Sequence, residues 1–186
     1  MTTIKIFLLL LLLPPTVIFA DSVAAPAPAP DNIFEKPGSL EKYTYIHLYV
    51  QIINPTQPLV VRGPNNNPLG FGNMIMVDNP LTEGIDSSSK LIGREQGYTI
   101  GISRDPDFST TINFLTLNLA FTDGEHNGST ITVMGRDPVF NAQRELMVVG
   151  GTGAFRMARG YSFWTINSFN ITGNSVVEGD IHVFHY

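Results

Sequence analysis

Nine short runs of β-forming residues, parted by turn signals, make up nearly all of the chain after Tyr43. They are Thr44 to Ile53, a weaker Leu59 to Arg62, Phe71 to Val77, Leu91 to Ser103, Thr111 to Thr122, Thr130 to Arg136, Glu145 to Val149, Gly160 to Asn167 and Val176 to His185. Nowhere do apolar residues recur at i, i+3, i+4 and i+7 through a helix-length window free of Gly and Pro, so the chain reads as all-β. Asn127-Gly128 is a hairpin signal between two runs, because both residues tolerate the positive φ of a type I′ turn. Asn79-Pro80 and Asp105-Pro106 mark further turns. So many strands in one domain leave edges to hide, and closure into a barrel removes them altogether, although a sandwich also satisfies the pattern. In the first run Ile46, Leu48, Val50 and Ile52 form one aliphatic face, and Tyr45, His47, Tyr49 and Gln51 the other, mixed one. That alternation suits a strand lying between a packed layer and either a lined cavity or a subunit contact.

Composition narrows the chemistry. At 186 residues the chain has room for one core. It holds no cysteine, which removes disulfides, thiolate metal sites and cysteine nucleophiles. Eleven Lys and Arg stand against sixteen Asp and Glu, a net charge of −5, so a nucleic-acid partner is excluded from the reading. Met1 to Ala20 has the layout of a secretory signal peptide: Lys5, an apolar run from Ile6 to Leu13, two prolines and a small-residue stop. The run is too short to span a bilayer of ~30 Å, so no membrane contact is expected after cleavage. Loss of Lys5 leaves ten basic against sixteen acidic residues, or −6. Residues 21–42 read as an Ala/Pro-rich extension and residues 43–186 as the folded domain.

The familiar catalytic signatures are missing: no phosphate loop, no His-Glu-x-x-His, no nucleophile elbow, no calcium loop. Gly150-Gly151-Thr152-Gly153 precedes no helix and reads as a turn or bulge needing positive φ. His182 and His185 stand an odd number of positions apart and face opposite ways on one strand, so no histidine metal site is expected. His126 reads as a solvated loop residue. Asn127-Gly128-Ser129 and Asn170-Ile171-Thr172 are N-glycosylation sequons at turns. Asp137 ends one run in front of a proline, and Arg144 opens the next after a six-residue connection. If the connection folds back, carboxylate and guanidinium meet at one rim, where a partly buried acid gains a raised pKa and general acid or base chemistry. The blander alternative is a surface ion pair worth ~0–1 kcal/mol.

Taken together, several blocks resemble the dirigent protein family of plants. They are Phe71-Gly72 through Asp78-Asn79-Pro80-Leu81-Thr82-Glu83-Gly84, Ser88 through Gly93-Arg94-Glu95-Gln96-Gly97, and Asn127-Gly128-Ser129-Thr130. Further blocks are Gly135-Arg136-Asp137-Pro138, Arg144-Glu145, Val148 through Gly153-Ala154-Phe155-Arg156-Met157-Ala158-Arg159-Gly160-Tyr161, and Val176-Val177-Glu178 to His185-Tyr186. The resemblance implies a secreted, glycosylated, eight-stranded antiparallel β-barrel of the allene-oxide-cyclase-like kind, working in the apoplast as a homo-oligomer, trimer or dimer. One of the nine runs must then be lost or merged, Leu59 to Arg62 or Glu145 to Val149. It also implies a protein that steers coupling of phenoxy radicals, such as those of coniferyl alcohol, in lignan and phenylpropanoid biosynthesis. A separate laccase or peroxidase makes the radicals, so the chain needs no cofactor and has no independent turnover. Holding two radicals in a chiral apolar cavity selects a product by geometry, and a carboxylic acid there assists trapping of the quinone methide.

By that resemblance Asp137 and Arg144 fall on pocket positions. Two others depart from the family pattern. An aspartate of the first strand is replaced by Ile52, with Gln51 in place of the histidine before it. After the family's Gly-Arg-Ala-Gln-Gly block an apolar residue and then Tyr are usual; here Tyr98 comes first and Thr99 takes the Tyr position, on the opposite face. Two further functions therefore stay open: a lyase-type dehydratase working through a quinone methide, and a binding or cell-wall assembly protein with no turnover.

Overall fold

A computed structural model describes residues 40–53, 57–64, 70–105, 107–168 and 174–186. The leader, residues 21–39 of the extension and the sequon at Asn170 lie outside the described residues. Nine strands form: β1 (Lys42–Ile52), β2 (Leu59–Val61), β3 (Met74–Thr82), β4 (Leu91–Gly101), β5 (Ile112–Phe121), β6 (Thr130–Pro138), β7 (Gln143–Thr152), β8 (Arg159–Ser168) and β9 (Ser175–His185). All pairings are antiparallel, in the order β1-β9-β8-β7-β6-β5-β4-β3, and β3 returns to β1 at Tyr49↔Thr82 and Val50↔Leu81. Those eight strands make a closed antiparallel barrel. The weak run Leu59 to Arg62 is the surplus one: β2 has three residues and pairs only with the far end of β3, at Leu59↔Ile75 and Val61↔Met74. Glu145 to Val149 instead belongs to the ten-residue β7.

Two turn assignments need correction. Asn79-Pro80 is strand, not turn, with Asn79 opposite Glu95 and Pro80 opposite Arg94. Proline is tolerated there because β1 joins β3 only from Leu81 onward, so Pro80 stands at an open edge on that side. Asn127-Gly128 is not a two-residue hairpin either. The connection from β5 to β6 runs from Thr122 to Ser129, and of the pair only Gly128 has positive φ, at 81°. His126 in this loop is half-buried, its ring 4.7 Å from Phe155 and 5.8 Å from Phe121. The Gly150–Gly153 run does both things expected of it. The β6–β7 register shifts beside Gly150, and Gly153 has φ 62° at the start of a 3-10 turn, Gly153–Phe155.

Alternation along the strands fills the barrel. Ile46, Leu48 and Val50 of β1 are buried, as are Leu119, Ile131, Leu146 and Ile181 of β5, β6, β7 and β9. Phe155 closes this packed end, fully buried against Phe121 and His185. Each such side chain stabilises by roughly 1.5–3 kcal/mol, which is how a domain without disulfides holds together. The other half of the barrel is left hollow.

Candidate functional site

The hollow half is a cavity of about 310 Å³. Its floor is where the packed core stops: Val50, Leu117, Leu146, Trp164 and Val177 belong to the core and also face the cavity. Trp164 lies over the backbone of Gly179, where a Cβ would sit 2.7 Å from the ring, so only glycine lets the indole lie flat there. The indole nitrogen donates to Ser162 Oγ at 2.8 Å, and that hydroxyl donates to the Leu146 carbonyl at 3.1 Å. These bonds fix the ring's orientation as a wall.

Asp137, Arg144, Ile52 and Thr99 all line this one cavity. β6 ends at Pro138 and β7 starts at Gln143. The short connection is pinned by bonds from Asn141 N to the Pro138 carbonyl and from Val139 N to the Thr111 carbonyl. Folding back in this way brings Arg144 Nη1 to 3.2 Å from Asp137 Oδ1. Both side chains are buried, at 9% and 5% exposure, so the pair is interior and not the surface ion pair that spacing alone allowed. Burial pushes the Asp137 carboxyl up, and Arg144, by charge and hydrogen bond, pulls it only part of the way back. Ile52 puts an aliphatic side chain into the cavity wall. Thr99 faces the cavity and Tyr98, its neighbour, does not.

A third charged residue was missed. Glu95 of β4 is 6% exposed and lines the same cavity. Its Oε2 accepts from Asn79 Nδ2 at 2.8 Å, and Asn79 Oδ1 in turn accepts from Gln57 Nε2 at 3.1 Å. Burial drives the Glu95 carboxyl to about 7, against the opposing pull of the Asn79 bond and of Arg144. The signal was present: the even–odd count that separates Thr99 from Tyr98 places Glu95 on Thr99's face, and Arg94 and Gln96 outside, where both bond Asp78.

Some polar capacity at the cavity is unmet. Arg144 Nε, Asn113 Oδ1 and Thr99 Oγ1 are buried without a hydrogen-bond partner among the described residues. Leaving such atoms unpaired costs about 1–3 kcal/mol each, a cost that a bound hydroxyl-bearing ligand recovers. Apolar walls with a few convergent polar groups are the usual composition of a small-molecule site, and this volume is at the lower end of the usual range. Among the described residues the one group arranged to hold a metal is His47, Glu178 and Asp180, whose ligand atoms lie within 4.8 Å of one another. It sits on the outer face of β1 and β9, not in the cavity. Asn127 is exposed in its loop.

The model of the Dirigent-like protein family matches residues 43–184. The chain is 40% identical over 190 residues to Dirigent protein 1 of Arabidopsis thaliana, covering 97% of this chain and 99% of that one. It is also 40% identical over 154 residues to Pterocarpan synthase 1 of Glycyrrhiza echinata, covering 78% of this chain and 80% of that one. A solved pterocarpan synthase dirigent protein superposes with a TM-score of 0.69 at 39% identity, over 78% of this chain and 86% of that one. A barrel of this topology and a match across almost every described strand lead to one conclusion: the chain belongs to the dirigent family.

Proposed function

We propose that the protein imposes one handedness on a phenolic product formed in its barrel cavity, directing the coupling of phenoxy radicals that a separate laccase or peroxidase supplies. The observation that carries this reading is the cavity itself: apolar on most sides, with a buried carboxylate–guanidinium pair in one wall. Apolar walls take up aromatic rings, and the fixed Trp164 face and the Asp137–Arg144 pair together remove the rotational freedom that makes free coupling unselective. Coupled phenoxy radicals yield quinone methides, which are consumed when a hydroxyl adds to the methide carbon. That addition forms a C–O bond, moves one proton onto the former carbonyl oxygen and releases one from the hydroxyl. Asp137 assists this proton transfer, with Arg144 holding its carboxyl in place. Such a protein works outside the cell, where the oxidase is, with Asn127 open to glycosylation and the barrel self-associated.

A second reading is a dehydratase that forms its quinone methide by expelling water from one substrate, with no oxidase. It is favoured by the cavity's modest volume, which suits one phenolic better than two, and by the similarity to proteins named pterocarpan synthase. One experiment separates the readings. The purified protein is given laccase with coniferyl alcohol in one arm and an isoflavanol alone in the other, and products are resolved on a chiral column. Enantiomeric excess in the first arm supports directed coupling, and a racemate at saturating protein defeats it. Ring closure in the second arm supports the dehydratase.

A further inference from the structure

Buried carboxyls held in no ion pair are rare, because desolvation penalises the charged form heavily. Glu95 is one. Its only side-chain partner among the hydrogen bonds described above is the neutral amide of Asn79, and that amide is itself held by Gln57. A leucine would fill the position without that cost. Around the cavity, the titratable or charged residues besides Glu95 are Asp137 on β6 and Arg144 on β7. β1, β3, β5, β8 and β9 present only uncharged side chains to it, Asn79, Asn113 and Ser175 being the polar ones. The cavity therefore holds two carboxyls in unlike surroundings, one against a guanidinium and one against an amide.

We propose that Glu95 is a catalytic residue of this cavity: a neutral carboxylic acid that donates to the carbonyl oxygen of a conjugated phenylpropanoid intermediate, in division of labour with the Asp137–Arg144 pair. This rests on the quinone-methide chemistry proposed above and assigns its two protons. Glu95 gives its proton to the quinone-methide oxygen as the C–O bond forms at the methide carbon. Asp137, in its ionised form beside the Arg144 guanidinium, takes the proton leaving the attacking hydroxyl. One carboxyl ends a proton short and the other a proton up, and exchange with solvent resets them, with no change of oxidation state. Carboxyls set apart in this way by their surroundings are the general means by which one site holds an acid and a base together.

The test uses a probe that cannot ionise, 4-methoxycinnamaldehyde, and reads its affinity through quenching of Trp164, the chain's single tryptophan. A protonated Glu95 bonds the aldehyde oxygen; an ionised one cannot. Wild-type affinity is expected to fall about tenfold from pH 5.5 to pH 8.5, the loss of one hydrogen bond worth roughly 1.4 kcal/mol, with its midpoint near 7. In Glu95→Gln, and in Glu95→Ala should the first variant misfold, the profile is expected to be flat. A pH dependence unchanged in these variants, or no binding by wild type, overturns the proposal. In the two turnover arms, Glu95→Gln is expected to lose about 100-fold in rate and to keep its probe affinity at pH 8.5. If neither arm yields product with wild type while the binding profiles differ as expected, the function reading fails and the acid at Glu95 stands.

Discussion

The carboxyls inside the barrel and those on its outer face are the same chemical groups in opposite settings. On the outside of β1 and β9, Asp180 Oδ1 accepts from Tyr45 Oη and lies 2.9 Å from His47 Nδ1, and Glu178 lies 3.5 Å from His47 Nε2. Partial burial pushes Asp180 up, but the bonds from Tyr45 and His47 outweigh it, and its carboxyl ends below the usual range. Inside, Glu95 and Asp137 also have hydrogen-bond donors, yet burial wins and both end above it. The number of donors does not decide the direction. Depth decides it, because water screens the outer cluster far more than the inner one.

The widest separation between the two regions should come from breaking an ion pair in each. Arg144→Met leaves Asp137 buried beside no cation, which at pH 8 should cost about 3–5 kcal/mol in urea unfolding. The loss should shrink at low pH, as Asp137 takes up a proton and no charge remains to strand. A cost below about 1 kcal/mol at pH 8 would put the pair in the same screened class as surface bridges and erase the contrast.

Glu95 sharpens the comparison in the opposite sense. Its folded pKa of about 7 lies above the ordinary 4.5, so the fold prefers the protonated form. The stability so gained is complete below pH 4.5 and is lost as pH rises through 7. Beyond that the charged carboxyl costs roughly 3 kcal/mol. Glu95→Gln should therefore match wild type near pH 4 and exceed it by about that amount at pH 8.5. A buried group that destabilises the resting protein in this way is the pattern of a site held for chemistry, not for the fold.

How much of this was readable in advance follows the same division. Strand identity was legible because alternation is local: the Ile46 to Ile52 face, the β9 run and the surplus weakness of Leu59 to Arg62 all show in the order of residues. The Asp137–Arg144 contact was legible as a possibility, since only a short connection parts the two. Asn79 and Glu95 were not seen as a pair because their meeting depends on the β3–β4 register, sixteen positions apart in the chain, and because Asn-Pro ordinarily signals a turn. The Asn127-Gly128 hairpin misled for a related reason. His126 packs against Phe121 and Phe155 at the end of the barrel, a tertiary contact that the dipeptide does not report.

On the outer face Asp180→Asn should cost only about 0.5–1 kcal/mol near neutral pH. Here the sign is reversed: a lowered pKa means that the contribution is present above the ordinary 3.8 and disappears as pH falls through the folded value. A denaturation series from pH 7 to pH 2 should bring variant and wild type together at the acid end. The cavity variants should instead converge with wild type by losing a penalty, not a gain.

The smallest effect is also the most specific. The bond to Asp180, then burial and the nearby carboxylate charges, raise the Tyr45 hydroxyl from 10.0 to about 12. The neutral phenol is favoured in the fold, so this contribution is present below pH 10 and is lost as pH rises through 12. Ultraviolet titration of the six tyrosines should show a late step near pH 12. Asp180→Ala, by removing the acceptor, should bring that late step down toward pH 10 without disturbing the Glu95-dependent binding profile. If the late step persists, its cause is desolvation, and the outer face would be governed by burial as the cavity is, against the contrast drawn between them.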